Sequence, residues 1–323
     1  MSEIKVNSIK GVGASAAAIT VNNTDGTCTA NITNNLSNRN LIINGAMQCW
    51  QRGVSTTTSS SYQADRFWVV NQGTYARDNS APDGFQYSAK LTHSSSNMAI
   101  GTPIELPATG NASPLVSGNT FTVSFYGKAD SGTEDVNLLC RYRNSKFSGT
   151  NQVDFTGTGQ TFTLTTSWQR FTKTFTIPTI NANNTIISIE VDGIGATAYF
   201  TGFQAELGSV ATDFEHRSFG QEMQLCKRYY QLCQGNTGYA YGSTAFRAII
   251  SGTVEMRAAP SIAIVNGTNT VEDFGTANRN ISSLGGLSSG SVLGGLVDAT
   301  ITSTTSGKAH ALIAGAISMS AEL

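Results

Sequence analysis

Alternation of apolar and polar residues, repeated in segment after segment between residues 39 and 215, is the feature that most constrains this chain. In the stretch FTVSFYG, Phe121, Val123 and Phe125 fall on one face and Thr122 and Ser124 on the other. A period of two is that of a half-buried β-strand, whereas an amphipathic helix repeats at about 3.6 residues. The same pattern recurs in VNLLCRY, WQRFTKTFTI, TIISIEV and AYFTGFQAEL. We therefore predict antiparallel strands that share one apolar core.

About eight such segments suit a jelly-roll β-sandwich, in which two sheets cover each other's apolar faces. Composition favours the same class. Only 13% of the residues are charged, so the Glu and Lys that long surface helices need are scarce. We predict an all-β protein with a short N-terminal attachment or oligomerisation segment (1–38), a jelly roll (39–215), a linking helix (216–235) and a small C-terminal β domain (236–323).

The period changes in the predicted linking helix. Apolar residues there are spaced 4, 3, 4, 3 from Phe219 to Cys233, which is typical of an amphipathic helix. Ser218 followed by Gln221 is a capping-box start, and Gly235 is a natural stop. A helix that is apolar on two sides needs two partners. We therefore predict an oligomer interface, with coverage of both faces by one globular domain as the open alternative; the interface residues would be Phe219, Met223, Cys226, Tyr230, Leu225, Tyr229 and Leu232.

The two ends of the chain differ in character. Residues 1–38 hold short apolar runs among Gly, Ser, Thr and Asn, too few to bury a core. We expect them to pair with other copies or with a larger assembly, a disordered arm being the alternative. Toward the C-terminus, Pro260 separates two predicted strands, the Gly/Ser-rich stretch 281–295 is predicted to be an exposed loop, and KAHALIAGAISMSAEL is predicted to be a strand.

Charge, hydropathy and cysteine content exclude several functions. The net charge of −1 offers no electrostatic basis for binding nucleic acid or an anionic membrane. Neither a signal peptide nor a run of 18 apolar residues is present, so we expect no membrane insertion. The cysteine number is odd and no two form a C-x-x-C pair, so we expect buried free thiols at Cys28, Cys49, Cys140, Cys226 and Cys233.

Catalytic chemistry is sparse. The three histidines, His93, His216 and His310, are not at metal-ligand spacing, and no known nucleophile or phosphate-binding motif occurs. Glycan cleavage needs two opposed carboxylates, and Asp and Glu are thinly spread. We expect no catalytic residues, no metal site and no cofactor. Jelly rolls often hold a structural calcium ion, but no acidic cluster in this sequence supports one.

Aromatic and arginine side chains on small polar faces are the features that suggest a ligand. Sugar rings stack their C–H faces on aromatic rings, and guanidinium groups pair with hydroxyls. We predict glycan contacts by Tyr62, Arg66, Trp68, Tyr126, Arg141 and Arg143, with Trp68 as plain core and Tyr126 as sheet-edge cover being the alternatives. In NLIINGAMQCWQRG (40–53), Asn44-Gly45 is predicted to form a turn, and Trp50 and Arg52 to pack or clamp the domain edge rather than perform chemistry.

Several of these stretches resemble bacteriophage tail proteins. NLIINGAMQCWQRG and YQADRFW (40–68) resemble the opening of their carbohydrate-binding-module-like jelly roll, and GFQAELGSVATDFEHRSFGQEMQLCKRYYQ (202–231) resembles its last strand and helix. TVEMRAAPSIAI (253–264) resembles the start of their C-terminal domain. MSEIKVNSIKGVGASAAAITV is similar to attachment segments of marine and cyanobacterial podovirus tail fibres.

The resemblance implies a homotrimeric tail fibre of the virion, made in the host cytoplasm. Residues 1–38 would attach it to other tail or adaptor proteins, the jelly roll would form its body, and the C-terminal domain (236–323) would be the host-facing tip. The fibre would bind a host surface polysaccharide. One position departs from the pattern: Gln204 stands where such modules carry an acid for calcium. A capsid decoration or tail-adaptor protein without receptor binding, and a glycan depolymerase, remain as alternatives.

Overall fold

A computed structural model describes residues 8–9, 19–21, 28–30, 39–57, 60–70, 72–106, 115–144, 152–180, 184–233, 237–273, 277–301 and 309–322. As predicted, the described chain is nearly all β. Its N-terminal part contributes one small antiparallel sheet, formed by β1 (Ser8–Ile9), β2 (Ile19–Val21) and β3 (Cys28–Ala30). Most of the predicted attachment segment, 1–38, lies outside the described residues.

Two sheets form a sandwich over residues 55–207. In hydrogen-bonding order, sheet I consists of β14 (Gln169–Thr176), β10 (Thr120–Ala129), β16 (Ala198–Leu207), β8 (Ser88–His93), β7 (Gly73–Asp78) and β4 (Ser55–Thr56). Sheet II consists of β12 (Val153–Asp154), β11 (Glu134–Arg143), β15 (Ile186–Ile194), β9 (Met98–Glu105), β6 (Trp68–Val70) and β5 (Ser61–Tyr62), with β13 (Gln160–Leu164) also pairing with β11. From β8 to β11 the chain changes sheet at every connection, which gives the predicted jelly-roll path.

The sandwich core lies between the two sheets, where the alternation places it. Phe121, Val123 and Phe125 on β10 are fully buried and face Val136 and Leu138 from β11. The rings of Phe125 and Phe203 stack with centroids 5.5 Å apart. Because these inward positions alternate with outward ones, burying one face of β11 directs its other side chains away from the core.

The linking helix is shorter than predicted. Helix α1 spans Phe219–Lys227, and the predicted capping box is present: the Ser218 hydroxyl accepts a hydrogen bond from the Gln221 backbone, and the Gln221 side chain accepts one from the Ser218 backbone. The extension to Cys233 is wrong, because Tyr230–Cys233 forms strand β17 and pairs with residues 317–320. That distant partner supplies the backbone hydrogen bonds that a longer helix would have made internally.

The same structure changes the predicted oligomer interface. Cys226, Tyr229 and Tyr230 are buried within their own chain, so they are not available to a second chain. Met223 and Leu232 are half-buried. Phe219 and Leu225 are 57% and 37% exposed, so they remain open to an outside partner.

The C-terminal part folds into a closed cylinder of antiparallel strands. Its pairings follow the order β17, β23 (Ala309–Ser320), β18 (Thr237–Ala240), β19 (Ala245–Ser251), β22 (Gly294–Ile301), β21 (Ala277–Ser291) and β20 (Ser261–Asp273), and β20 returns to β23. The boundary before Pro260 and the terminal strand are confirmed. The loop predicted at 281–295 is wrong, because most of this stretch lies in β21, which pairs with β22 through a register with three irregularities. The predicted exposure holds for Ser282, Ser283 and several of the residues that follow.

The thiols are buried in the described part of the chain. Cys49, Cys140, Cys226 and Cys233 are free and buried, as predicted, and the side chain of Cys28 lies outside the described residues. His93 is the last residue of β8. The ring of His216 packs against Phe85 and Phe214, with centroids 5.1 and 4.8 Å away.

Asn44 joins the opening segment to the rest of the molecule. It is fully buried in a left-handed conformation (φ 62°), and its side-chain oxygen accepts hydrogen bonds from the backbones of Gln48 and Cys49. Its amide group donates to the Cys49 and Asp65 carbonyls. Its backbone N–H donates a hydrogen bond to the Glu222 carboxylate of α1, with a donor–acceptor distance of 2.5 Å. The predicted turn therefore also connects the sandwich to the helix.

A buried cluster of charges fastens the sandwich to the C-terminal cylinder. Arg52 pairs with Asp65 at 3.1 Å and with Glu322 at 2.9 Å, and Arg66 also pairs with Glu322. The Arg52 guanidinium lies 3.6 Å from the centre of the Tyr230 ring, so Arg52 is a clamp, as predicted. Burial raises the pKa of the Asp65 carboxyl from 3.8 to about 6, and Arg52 offsets this only in part.

We expect Asn44→Ala to lower the free energy of unfolding by about 3 kcal/mol or more, because buried backbone groups lose their partners and a left-handed residue without a compensating side chain is strained. Chemical denaturation of the full chain measures this. Asn79→Ala, at an exposed position after β7, is the matched control and should change stability little. Equal stability of the two variants would contradict the central role of Asn44.

The raised pKa of Asp65 predicts a pH dependence. Between about pH 4 and pH 6 the folded chain holds a proton on Asp65 that the unfolded chain releases, so this residue makes folding more favourable as pH falls through 6. Its contribution is about 3 kcal/mol, complete near pH 4.

Asp65→Asn should remove this part of the pH dependence, which denaturation curves between pH 4 and pH 7 measure against the unchanged chain. Asp213→Asn, at an exposed position, is the control and should keep the original dependence. Parallel pH curves for Asp65→Asn and the unchanged chain would show that Asp65 titrates normally.

Candidate functional site

The outer face of sheet II carries a cleft of about 450 Å³. Strands β6, β9, β11 and β15 line it, mostly with residues that alternate with the buried core positions; Met98, from the core, and Asn97, just before β9, also border it. The lining residues are Trp68, Val70, Asn97, Met98, Ala99, Asn137, Leu139, Arg141, Arg143, Glu190, Asp192 and Gly193. The face is therefore a by-product of core formation: once Leu138 and Cys140 point inward, Leu139 and Arg141 must point outward.

Ion pairs arrange the charged groups of the cleft. Arg143 and Glu190 form a pair at 3.0 Å, and the Ser188 hydroxyl also donates to Glu190. Burial lowers the pKa of Arg143, and the nearby Glu190 carboxylate opposes that shift. Arg141 is held by Asp154 at 3.4 Å and by Gln152 at 3.3 Å. Both guanidinium groups thus have fixed positions before any ligand arrives.

Three polar atoms of the cleft residues are enclosed without a hydrogen-bond partner in the described part of the chain. They are Oδ1 of Asp192, an acceptor, and the Nε atoms of Arg141 and Arg143, both donors. Leaving a buried polar atom unpaired costs about 1–3 kcal/mol. A hydroxyl group, which both donates and accepts, can satisfy any of them. The cleft is therefore suited to a ligand with many hydroxyls.

Trp68 forms a wall of the cleft rather than an open stacking platform. It is only 2% exposed, and the edge of its ring meets Tyr62 at a centroid distance of 6.2 Å. Opposite the ring lies Gly101, where a Cβ would come within 2.7 Å of Trp68. Any side chain at residue 101 would displace the indole, so Gly101 leaves the space that Trp68 occupies.

Three of the six predicted glycan-contacting residues line this cleft, namely Trp68, Arg141 and Arg143. Arg66 is buried at the junction with the cylinder, where it donates to the Pro103 carbonyl at 3.0 Å and stacks 3.6 Å from the centre of the Tyr229 ring. The backbone of Arg66 is in the left-handed conformation (φ 68°), which directs its side chain toward this junction. Tyr62 is buried beside it.

Tyr126 lies on the other sheet. It is half-buried on β10 and packs against Phe85 with ring centroids 5.3 Å apart, so it covers sheet I instead of lining the cleft. The alternative of sheet-edge cover does not describe it either, because β10 lies between β14 and β16 and is not an edge strand. Glycan contact by Arg66, Tyr62 or Tyr126 would therefore need a site other than this cleft.

Sequence reasoning missed the acidic wall of the cleft. Glu190 and Asp192 lie two residues apart on β15 and both face outward. The signal was present in TIISIEVD, where Ile187, Ile189 and Val191 alternate with polar residues. What the alternation does not show is that β15 lies directly beside β11, with Arg141 opposite Ser188.

Neither a metal centre nor a membrane-spanning helix is found in the described residues. No three His, Cys, Asp or Glu side chains come together there as a metal site would require. Among the same residues, no helix has the length and hydropathy needed to cross a bilayer.

Comparisons with solved structures give distant likenesses. A structure of a family 4 carbohydrate-binding module is 19% identical and covers 51% of this chain and 98% of its own, with a TM-score of 0.33. A xylan-binding domain of Xyn10C from Paenibacillus barcinonensis is 11% identical, covering 49% and 94%, with a TM-score of 0.33. The enzymatically active domain of tailspike protein 4 from bacteriophage CBA120 is 14% identical, covering 53% and 22%, with a TM-score of 0.35.

A search of the curated proteins found no match. The sequence itself matches one protein family. Residues 67–194 match the profile of the carbohydrate binding domain family CBM_4_9. This range begins one residue before β6 and ends with β15, so it includes every strand that lines the cleft.

Proposed function

We propose that the chain binds a polysaccharide through the cleft on sheet II. The observation that carries this proposal is the set of three enclosed, unpartnered polar atoms on Arg141, Arg143 and Asp192, within the segment that matches a carbohydrate binding domain. In the bound state a sugar hydroxyl donates to Asp192 and another accepts from Arg143. Arg141 binds between them on β11, because Asp192 lies opposite Asn137, and Trp68 provides an apolar wall.

The cleft supports binding rather than cleavage. Hydrolysis of a glycosidic bond takes two carboxyl groups acting from opposite sides of the bond. Glu190 is engaged at both oxygens, by Arg143 and by Ser188. That leaves Asp192 as the one carboxylate with an unpartnered oxygen among the described residues that line the cleft.

We further propose that the protein is a homotrimeric tail fibre of a marine or cyanobacterial podovirus type, and that its ligand is a host surface polysaccharide. The resemblance of residues 40–68 and 202–231 to phage tail proteins supports this. In a trimer three weak cleft sites act together, so even millimolar single-site binding becomes effective. The N-terminal segment 1–38 attaches the fibre to other tail proteins, and the exposed Leu225 on α1 contributes to the contact between subunits.

Removing cleft groups should weaken binding. On a glycan array, Asp192→Ala and Arg141→Ala should each lose about tenfold or more in affinity for the polysaccharide that the unchanged chain binds, because each removes a charge-assisted hydrogen bond. Asp83→Ala, at an exposed position outside the cleft, is the control. Undiminished binding by both cleft variants would refute the assignment, and release of oligosaccharides during incubation would indicate a depolymerase instead.

The trimer predicts a particle mass of about three times the 34.0 kDa of one chain. Light scattering coupled to size exclusion measures this directly. Leu225→Glu should lower the mass, because it places a charge in the subunit contact, whereas Ile249→Glu changes an equally apolar exposed residue of the cylinder and should not. A monomer at all concentrations would contradict the trimer, and electron microscopy that places the chain on the capsid would favour the decoration protein.

A further inference from the structure

A second cavity, of about 360 Å³, lies at the end of the sandwich core. The turn after Asn44 and helix α1 meet there with strand β7 and the residues that precede β8. The lining residues are Gln48, Trp50, Gln51, Arg77, Gln86, Tyr87, Phe219 and Met223. The cavity shares no lining residue with the cleft, and the strand that contributes to it belongs to sheet I rather than sheet II.

Two walls of this second cavity are apolar. Trp50 is 8% exposed, and its indole N–H donates to the Met47 carbonyl at 2.6 Å, so the polar edge of the ring is occupied inside the protein. Phe219, the first residue of α1, is 57% exposed. Met223 lies one turn further along the helix. These side chains present apolar surface of the kind on which the C–H face of a sugar ring packs.

Two polar groups of the cavity are placed to bind a ligand. Oε1 of Gln48 is enclosed without a hydrogen-bond partner in the described part of the chain, so it calls for a donor. Arg77 is exposed, with its guanidinium 4.4 Å from the centre of the Tyr87 ring. No carboxylate is among the described residues that line the cavity, so Arg77 gives it a net positive charge.

The cavity is also prepared before a ligand arrives. The side chain of Asn44 accepts from the Gln48 backbone at 2.8 Å, while its backbone N–H holds Glu222 of α1. Gln51 is fixed by hydrogen bonds to Asp65 and to the Tyr230 carbonyl, at 3.0 and 2.8 Å. The turn and the helix that form opposite walls are thus tied to one residue, which reduces the ordering cost of binding.

We propose that this cavity binds a single acidic sugar residue, of the uronic or sialic acid class. Its carboxylate pairs with Arg77, a hydroxyl donates to Oε1 of Gln48, and the C–H face of its ring packs on Phe219. A neutral sugar would leave Arg77 without an anion, and a simple inorganic anion would offer no donor to Gln48 and no apolar face. The volume lies near the lower end of the roughly 300–1,000 Å³ of small-molecule sites, which suits one ring rather than a chain.

The test measures binding of small glycosides to the full chain by isothermal titration and saturation-transfer NMR. The probes are the methyl glycosides of glucuronic, galacturonic and N-acetylneuraminic acid, with methyl glucoside and methyl galactoside as neutral counterparts. We expect at least one acidic glycoside to bind about tenfold or more tightly than the neutral ones, the size of effect given by one charge-assisted hydrogen bond. Saturation transfer should reach the ring protons.

Variants then show whether the acidic glycoside binds in this cavity or at another place on the chain. Arg77→Gln should abolish the preference for acidic glycosides, and Phe219→Ala should weaken binding of the same probe. Lys227→Gln removes the same charge from the last turn of α1, outside the cavity, and should change nothing. The cleft variant Asp192→Ala should also bind the acidic glycoside normally, so failure of the cleft and failure of this cavity are distinguishable.

Three outcomes would overturn the proposal. They are no binding of any acidic glycoside, binding of acetate as tight as that of the glycosides, and a preference for acidic probes that survives Arg77→Gln. If Arg77→Gln folds poorly, Gln48→Glu provides a second test, because a carboxylate at that position repels an anion. An undiminished affinity of Gln48→Glu for the acidic glycoside would then exclude the site.

Discussion

The side chain of Asn44 is the contact on which the remaining structure depends. It satisfies the backbone of the turn that follows it and the carbonyl of Asp65 in the next segment, while its own backbone N–H engages Glu222 of the helix. A buried amide can do this because it donates twice and accepts twice. Neighbouring Gly45 allows the turn to lie against β16, where a Cβ would come within 2.1 Å of the Phe203 carbonyl oxygen.

The chain after this turn and the outer face of sheet II provide the two sets of side chains that a ligand can reach. The chain that leaves Asn44 carries Trp50 and Gln51 to the second cavity and Arg52 to the junction with the cylinder. The sandwich presents its polar surface on the outer face of sheet II, because the inner faces of both sheets are used in the core. Ligand-binding residues and core residues therefore alternate along the same strands. A one-residue shift in strand register would exchange the two sets between the outer and inner faces.

The accuracy of sequence reasoning varied with the range of the interaction involved. Arg141 and Arg143 were placed correctly on an outward face, because strand alternation is local and strongly patterned. Arg66 was assigned to the ligand and lies instead in a buried ion pair, because its partner, Glu322, lies 256 residues away. The helix was extended too far for the same reason, since the pairing of Tyr230 with Ser320 has no counterpart in local periodicity.

The sequence by itself determined the class of the fold, the start of helix α1 and the scarcity of reactive groups, because propensity, period and composition act over a few residues. Only the tertiary structure decided which outward residues meet. It paired Glu190 with Arg143 and set Asp192 opposite Asn137 across neighbouring strands, and it placed Arg77, Gln48 and Phe219 around one cavity. Such juxtapositions arise from sheet order and packing between distant segments, which one sequence does not encode in any local pattern.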